Sequence, residues 1–204
     1  MVINNFEQIA KLLSFESEDD FYHLQILMRK KDLPEHKKAK NNNARCIKTY
    51  YIKNKEYLLE KQEEIIGLCH MFTARAYINL NRKSFKKASL LTVAEVTSRI
   101  IQNQEGYVYR AYESVVGDSK VNVGEKRWLI DIDEEENVNN LELYISAINA
   151  CQPEGDKIIS VIPTKNGLHI ITKPFNLKQI EPFKCLHPFD VQKNNPTLLY
   201  FNKQ

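Results

Sequence analysis

Asp131 and Asp133 stand one residue apart at the end of an apolar run, Trp128-Leu129-Ile130-Asp131-Ile132-Asp133. In a strand, residues i and i+2 point the same way, so the two carboxylates share one face. Neighbouring carboxylates repel unless a cation lies between them. Such a pair suits a hard divalent ion, which prefers oxygen ligands. Glu134-Glu135-Glu136 follow directly, and a solvated acidic strand end is the competing reading. The flank Trp128-Leu129-Ile130 argues against it, because it draws the strand into a core.

A second group is Thr164-Lys165-Asn166-Gly167-Leu168-His169. Asn166-Gly167 is a two-residue hairpin signal. Such a turn lifts backbone N–H groups and Lys165 toward solvent, and His169 emerges on the face opposite Leu168 and Ile170. Exposed amides, a lysine and an imidazole on one loop make a cradle for a triphosphate. An ordinary hairpin carrying one structural histidine is the alternative. The third element is Asp190 in Pro188-Phe189-Asp190-Val191-Gln192. An Asp before a turn is common turn chemistry. Its value here is as a third carboxylate, since a pair of metal ions acting at phosphorus needs several bridging oxygens.

These residues need elements to hold them. Helical spacing is expected over 6–13, strand over 21–28, and a lysine- and asparagine-rich loop over 30–44. Strand follows over 45–52, and an amphipathic helix over 55–69. Residues 74–80 alternate as a half-buried strand does, and a helix over about 84–102 closes the first half. In the second half, strand 127–133 leads to a helix ending near Cys151, with Asn139 and Glu142 at capping-box spacing. Strands at 157–162 and 168–172, a short helix from 177 to about 183 and a last strand at 197–201 complete the chain. The order β-α-β-β-(α)-β predicts a small antiparallel or mixed sheet of the split βαβ class, in an α+β protein.

At 204 residues, with 43% hydrophobic and 27% charged residues, the chain has the size and composition of one globular domain. We divide it into lobes at 1–120 and 121–204. No apolar stretch reaches the length of a membrane helix, and the first residues carry no signal-peptide pattern, so the expected location is the cytoplasm, with no membrane partner. The four cysteines are scattered without a C-x-x-C pair, which fits reduced thiols rather than a disulfide framework or a zinc site. Net charge is +3, spread unevenly: residues 1–100 hold 18 Lys+Arg against 12 Asp+Glu, and the remainder 11 against 14. In the first half Arg75 and Tyr77 share a strand face, and Arg82, Lys83, Lys86 and Lys87 flank a helix start. A helix N-terminus among such residues can hold phosphate, and Tyr77 could stack a base, against the plainer reading of a solvated surface helix.

An Asp-x-Asp at a strand end, a hairpin with a small residue two before a His, and a hydrophobic-Asp pair before a final strand resemble the archaeo-eukaryotic primase superfamily. Gly167-Leu168-His169-Ile170 is similar to the corresponding loop in the polymerase domain of bacterial end-joining ligases. The motifs span 127–201; residues 1–126 match only in general shape. The resemblance implies an RRM-like catalytic sheet packed against an N-terminal α/β unit. It implies that Asp131, Asp133 and Asp190 hold Mg²⁺ or Mn²⁺, and that His169 with Thr164, Lys165, Asn166 and Gly167 contacts nucleotide phosphates. The chain departs from the family in having Gly167 where Ser is frequent, and it lacks the zinc motif of some members. The implied activity is a template-directed nucleotidyltransferase, a primase or primase-polymerase in DNA replication. It would use nucleoside triphosphates and a single-stranded DNA or RNA template, with a helicase or another replication protein as partner. A primase-like module that binds nucleic acid without chemistry, and a metal-dependent nuclease, are the other functions considered.

Overall fold

The computed structural model describes residues 1–33, 44–133 and 140–202. It is a mixed α+β fold built on two antiparallel sheets. The larger sheet runs β1 (Val2–Asn4), β10 (Thr197–Asn202), β4 (Arg75–Ile78), β2 (Asp20–Arg29), β3 (Ala44–Ile52), with β5 (Lys83–Ser84) pairing β2 off this path. The smaller sheet runs β7 (Ile158–Pro163), β8 (Gly167–Thr172), β6 (Trp128–Asp133), β9 (Asp190–Gln192).

Alternation explains which face of each strand is covered. In β2 and β4, Leu24, Ile26, Ala76 and Ile78 are fully buried and pack in the main core with Phe6 and Ile9 of α1 (Phe6–Leu12). Leu58 of α2 (Lys55–Glu60) and Ile65 and Cys69 of α3 (Gln62–Phe72) join them. The helix expected over 55–69 is two helices, parted at Lys61. The strand expected over 74–80 is the shorter β4, central in its sheet and buried on both faces rather than half-buried. On the far face of β4, Arg75 and Tyr77 are buried beside Leu198 and Phe201, so alternation there separates apolar from polar side chains without exposing either set.

In the smaller sheet, Ile130, Ile132, Leu168 and Ile170 turn to one side and pack with Tyr144 and Ile148 of α6 (Leu141–Ala150) and Ile180 of α7 (Leu177–Leu186). The opposite side carries Leu129, Ile162 and Ile171, which merge into the main core with Phe6, Ile9 and Leu199. Asn5 ties the sheets together, its amide donating to the carbonyls of Pro163 and Leu198 at 3.0 and 2.8 Å. Helix α6 begins at Leu141, and Asn140 at its cap makes no side-chain capping bond; Asn139, half of the expected capping box, lies outside the described residues.

Two features depart from the expected order. The strand 197–201 was expected to close the smaller sheet; it lies instead between β1 and β4 of the larger one. Asp190–Gln192 takes its place as the fourth strand, so Asp190 is part of the sheet rather than a turn residue. A further helix α5 (Ala111–Gly117) packs against α4 (Phe85–Ile101), burying Ala88, Val115 and Val116 with Phe21. No helix among the described residues is long and apolar enough to cross a membrane.

Candidate active site

The side of β6 that is core at Leu129 runs out into a cleft at Asp131 and Asp133. Antiparallel pairing puts Asp131 directly opposite His169 on β8 and opposite Asp190 on β9, and Asp133 opposite Gly167. Residues facing each other in this way project to the same side. The three aspartates and the histidine therefore belong to one face. His169 Nε2 lies 3.3 Å from Asp131 Oδ1, and its Nδ1 is hydrogen-bonded to Thr197 Oγ1 at 2.8 Å. The imidazole is thus held between two strands of different sheets, with its side chain 11% exposed and that of Asp131 28%. Leu168 and Ile170 point into the core under α6 and α7, as alternation requires.

The cleft has a volume of about 350 Å³. One wall is Asp131, Asp133, His169 and the hairpin residues Thr164, Lys165 and Asn166; the other is Leu27, Arg29, Lys31, Arg75, Tyr77 and Leu198. Lys31 is lowered by burial and by its cationic neighbours Arg29 and Arg75, while Asp32 and Asp133 act in the opposite direction. Asp190 is exposed and outside the cleft lining, although Gln192 of the same strand contributes to it. Among the described residues no three His, Cys, Asp or Glu side chains are grouped around one point as metal ligands. The backbone register brings the carboxylates to a common face; the side chains do not close on a centre.

The hairpin turns one residue earlier than its Asn166-Gly167 signal indicates. Pro163 pairs with Leu168, and Thr164 N donates to Gly167 O at 2.9 Å, so Lys165 and Asn166 are the two turn residues. Thr164 Oγ1 accepts from Gly167 N at 3.2 Å, which closes the loop and occupies that amide. Gly167 sits in the sheet because nothing larger fits: a Cβ there would stand 1.9 Å from Ile132 O.

The expected nucleic-acid contacts divide. Arg75 and Tyr77 line the cleft, but Tyr77 is 8% exposed, its hydroxyl accepts from Arg29 Nη1 at 3.1 Å, and the Arg29 guanidinium lies over its ring. That ring is covered and offers no platform for a base. Arg82 is buried against Glu16 and Asp20, at 2.6 and 3.3 Å. Lys83 is fully buried and donates to Asp118 O and Asn122 Oδ1. Burial lowers it to about 8. The start of α4 is capped by this protein's own acid: Asp19 accepts from Lys86 N at 2.7 Å and from the Ser84 hydroxyl. Lys86 is exposed, but that helix start is occupied, and Arg82, Lys83 and Lys86 lie off the cleft.

Two residues that support the cleft were missed in the sequence: Thr197, which holds His169, and Asp32 beneath Arg75 and Lys165. For Asp32 the available signal was a lone carboxylate closing the basic run Arg29-Lys30-Lys31. No protein-family model matches the chain, and neither a curated protein nor a solved structure is significantly similar to it.

Proposed function

We propose that the chain is a template-directed nucleotidyltransferase of the primase-polymerase kind. The observation that carries this reading is the register around Asp131. It stands between His169 and Asp190 on its two neighbouring strands, across a cleft from Arg29, Lys31 and Arg75. The strand order β7-β8-β6-β9, reached through β-α-β-β-α-β, supports an RRM-like sheet.

Asp131, Asp133 and Asp190 would hold Mg²⁺ or Mn²⁺ once their side chains turn to a common point on the face they share, since an all-carboxylate donor set is suited to these ions. Bound there, the ion would supply charge stabilisation at phosphorus and activation of a 3′-hydroxyl. The chain's own groups do the rest. Thr197 fixes the His169 ring so that Nε2 faces Asp131 and the cleft. Lys165 and Arg29 offset phosphate charge from the two walls, and Leu27 and Leu198 exclude water from between them.

Incorporation of labelled nucleotides on single-stranded template, with Mn²⁺ or Mg²⁺, tests the reading. The Asp131→Ala/Asp133→Ala double variant is expected to lose more than about a hundredfold in rate, beyond what outer-shell partners of a metal cost. Asp190→Ala should fall comparably. Equal inertness of wild type and double variant across templates and nucleotides would dispose of it.

A second reading, a primase-like module that binds nucleic acid without chemistry, is favoured by one observation: the acidic side chains do not close on a centre among the described residues. It requires single-strand binding that falls with salt and is indifferent to metal.

A further inference from the structure

Arg75 and Lys165 reach the cleft from different sheets, and one buried carboxylate holds both. Asp32 accepts from Arg75 Nε at 2.7 Å and Nη2 at 2.5 Å, and its Oδ1 also accepts from Lys165 Nζ at 3.0 Å. The Asp32 side chain is 3% exposed. Burial pushes its carboxyl up, but the hydrogen bonds from Arg75 and Lys165 outweigh that and hold it below the usual carboxylate range. The ring of Phe201 backs both cations, with its centroid 4.6 Å from the Arg75 guanidinium and 5.3 Å from Lys165 Nζ. One carboxylate against two cations leaves the triad with a net positive charge in the cleft that Asp131 and Asp133 also line. Lys165 is 23% exposed, and an ammonium has three protons, so contact with Asp32 leaves donors for a ligand.

We propose that Asp32 is a positioning residue that locks Arg75 and Lys165, from the two walls of the cleft, into one cationic cluster, and that this cluster seats the polyphosphate of a nucleoside triphosphate. The inference rests on the nucleotidyltransferase reading above. Asp32 does not touch the substrate; it acts through Lys165. Without it the lysine, on a four-carbon stem at a hairpin tip, samples many rotamers and loses its fixed direction. A different role has the opposite sign: a carboxylate that merely occupies the phosphate seat would compete with ligand, and its removal would tighten binding.

The experiment uses the full chain and the variants Asp32→Ala, Asp32→Asn, Lys165→Met and Asp32→Asn/Lys165→Met. The readouts are kcat and KM for nucleotide incorporation, and affinity for inorganic tripolyphosphate by calorimetry. Asp32→Ala should raise KM and weaken tripolyphosphate about tenfold while kcat stays within about twofold, the size of one charge-assisted hydrogen bond. Lys165→Met should weaken tripolyphosphate and raise KM to the same extent. The double variant should be no weaker than Lys165→Met, because both changes remove one interaction. Should Asp32→Ala fail to fold, Asp32→Asn, which keeps the shape and an acceptor oxygen, and the double variant carry the comparison. Unchanged or tighter binding in the Asp32 variants, or losses that multiply in the double variant, overturns the proposal. If wild type incorporates nucleotide but the Asp32 variants keep its KM, this inference alone falls. If wild type neither incorporates nucleotide nor binds tripolyphosphate, the parent reading falls and takes this one with it.

Discussion

Gly167 faces Asp133 across a gap too narrow for a methyl group. Gly167→Ala must push the strands apart at the acidic end of β6, and a clash with backbone rather than a flexible side chain has no cheap relief. A loss of about 1–3 kcal/mol in urea unfolding is expected, as for other overpacked sites, and on the proposed function reduced nucleotide incorporation with it. An unchanged midpoint would show that the strands accommodate the methyl group. At this scale the sequence was informative where local periodicity did the work. Alternation alone put Asp131 with Asp133 and turned His169 away from Leu168 and Ile170. It gave Asp32 little weight, because the partners that give that carboxylate its meaning, Arg75 and Lys165, are brought to it by long-range pairing. It also misled at Arg82 and Lys83, where positive charge suggested exposure and the fold supplied buried partners instead.

Elements were legible when they had a period of their own, as for α1, β2, β3 and α4. They were obscure when tertiary pairing defined them: β9 is three residues long and exists as a strand only through β6. The most consequential misplacement was β10. Its residues look like any edge strand in sequence, yet Leu198 and Leu199 are almost fully buried, because pairing with β1 on one side and β4 on the other makes the strand internal. Leu199→Ala should therefore cost about 2–5 kcal/mol, as for a large-to-small change in a packed core. Leu90→Ala on the exposed face of α4 should stay within about 0.5 kcal/mol. Equal midpoint shifts for the two in urea would contradict the sheet order.

Across the whole molecule, the uneven charge seen in the sequence becomes a geometry. Basic residues of the first half, Arg29, Lys31 and Arg75, line one wall of a cleft whose other wall carries the acids of the second half. The same burial that builds the core makes stability depend on pH. His23, stacked on Tyr51, is lowered to about 4 by burial and by the charge of Lys83. An unfolded chain takes up its proton near 6.5. Between those values the unfolded state binds more protons, so stability is complete above about pH 6.5 and declines as pH falls toward 4, by up to about 3 kcal/mol. His23→Phe should lose less between pH 7.5 and 5 in urea titrations than wild type does; parallel losses would show that other groups govern the window. The return of β10 to the first sheet also bears on how the protein is made. During vectorial synthesis β1 and β4 emerge from the ribosome early but find no strand between them until residues 197–202 follow. Thr197, which orients His169, arrives with that same segment. The smaller sheet can pair before this strand arrives, but the first sheet stays open and His169 stays without its Thr197 partner, so translation stopped short of residues 197–202 should release material for proteolysis.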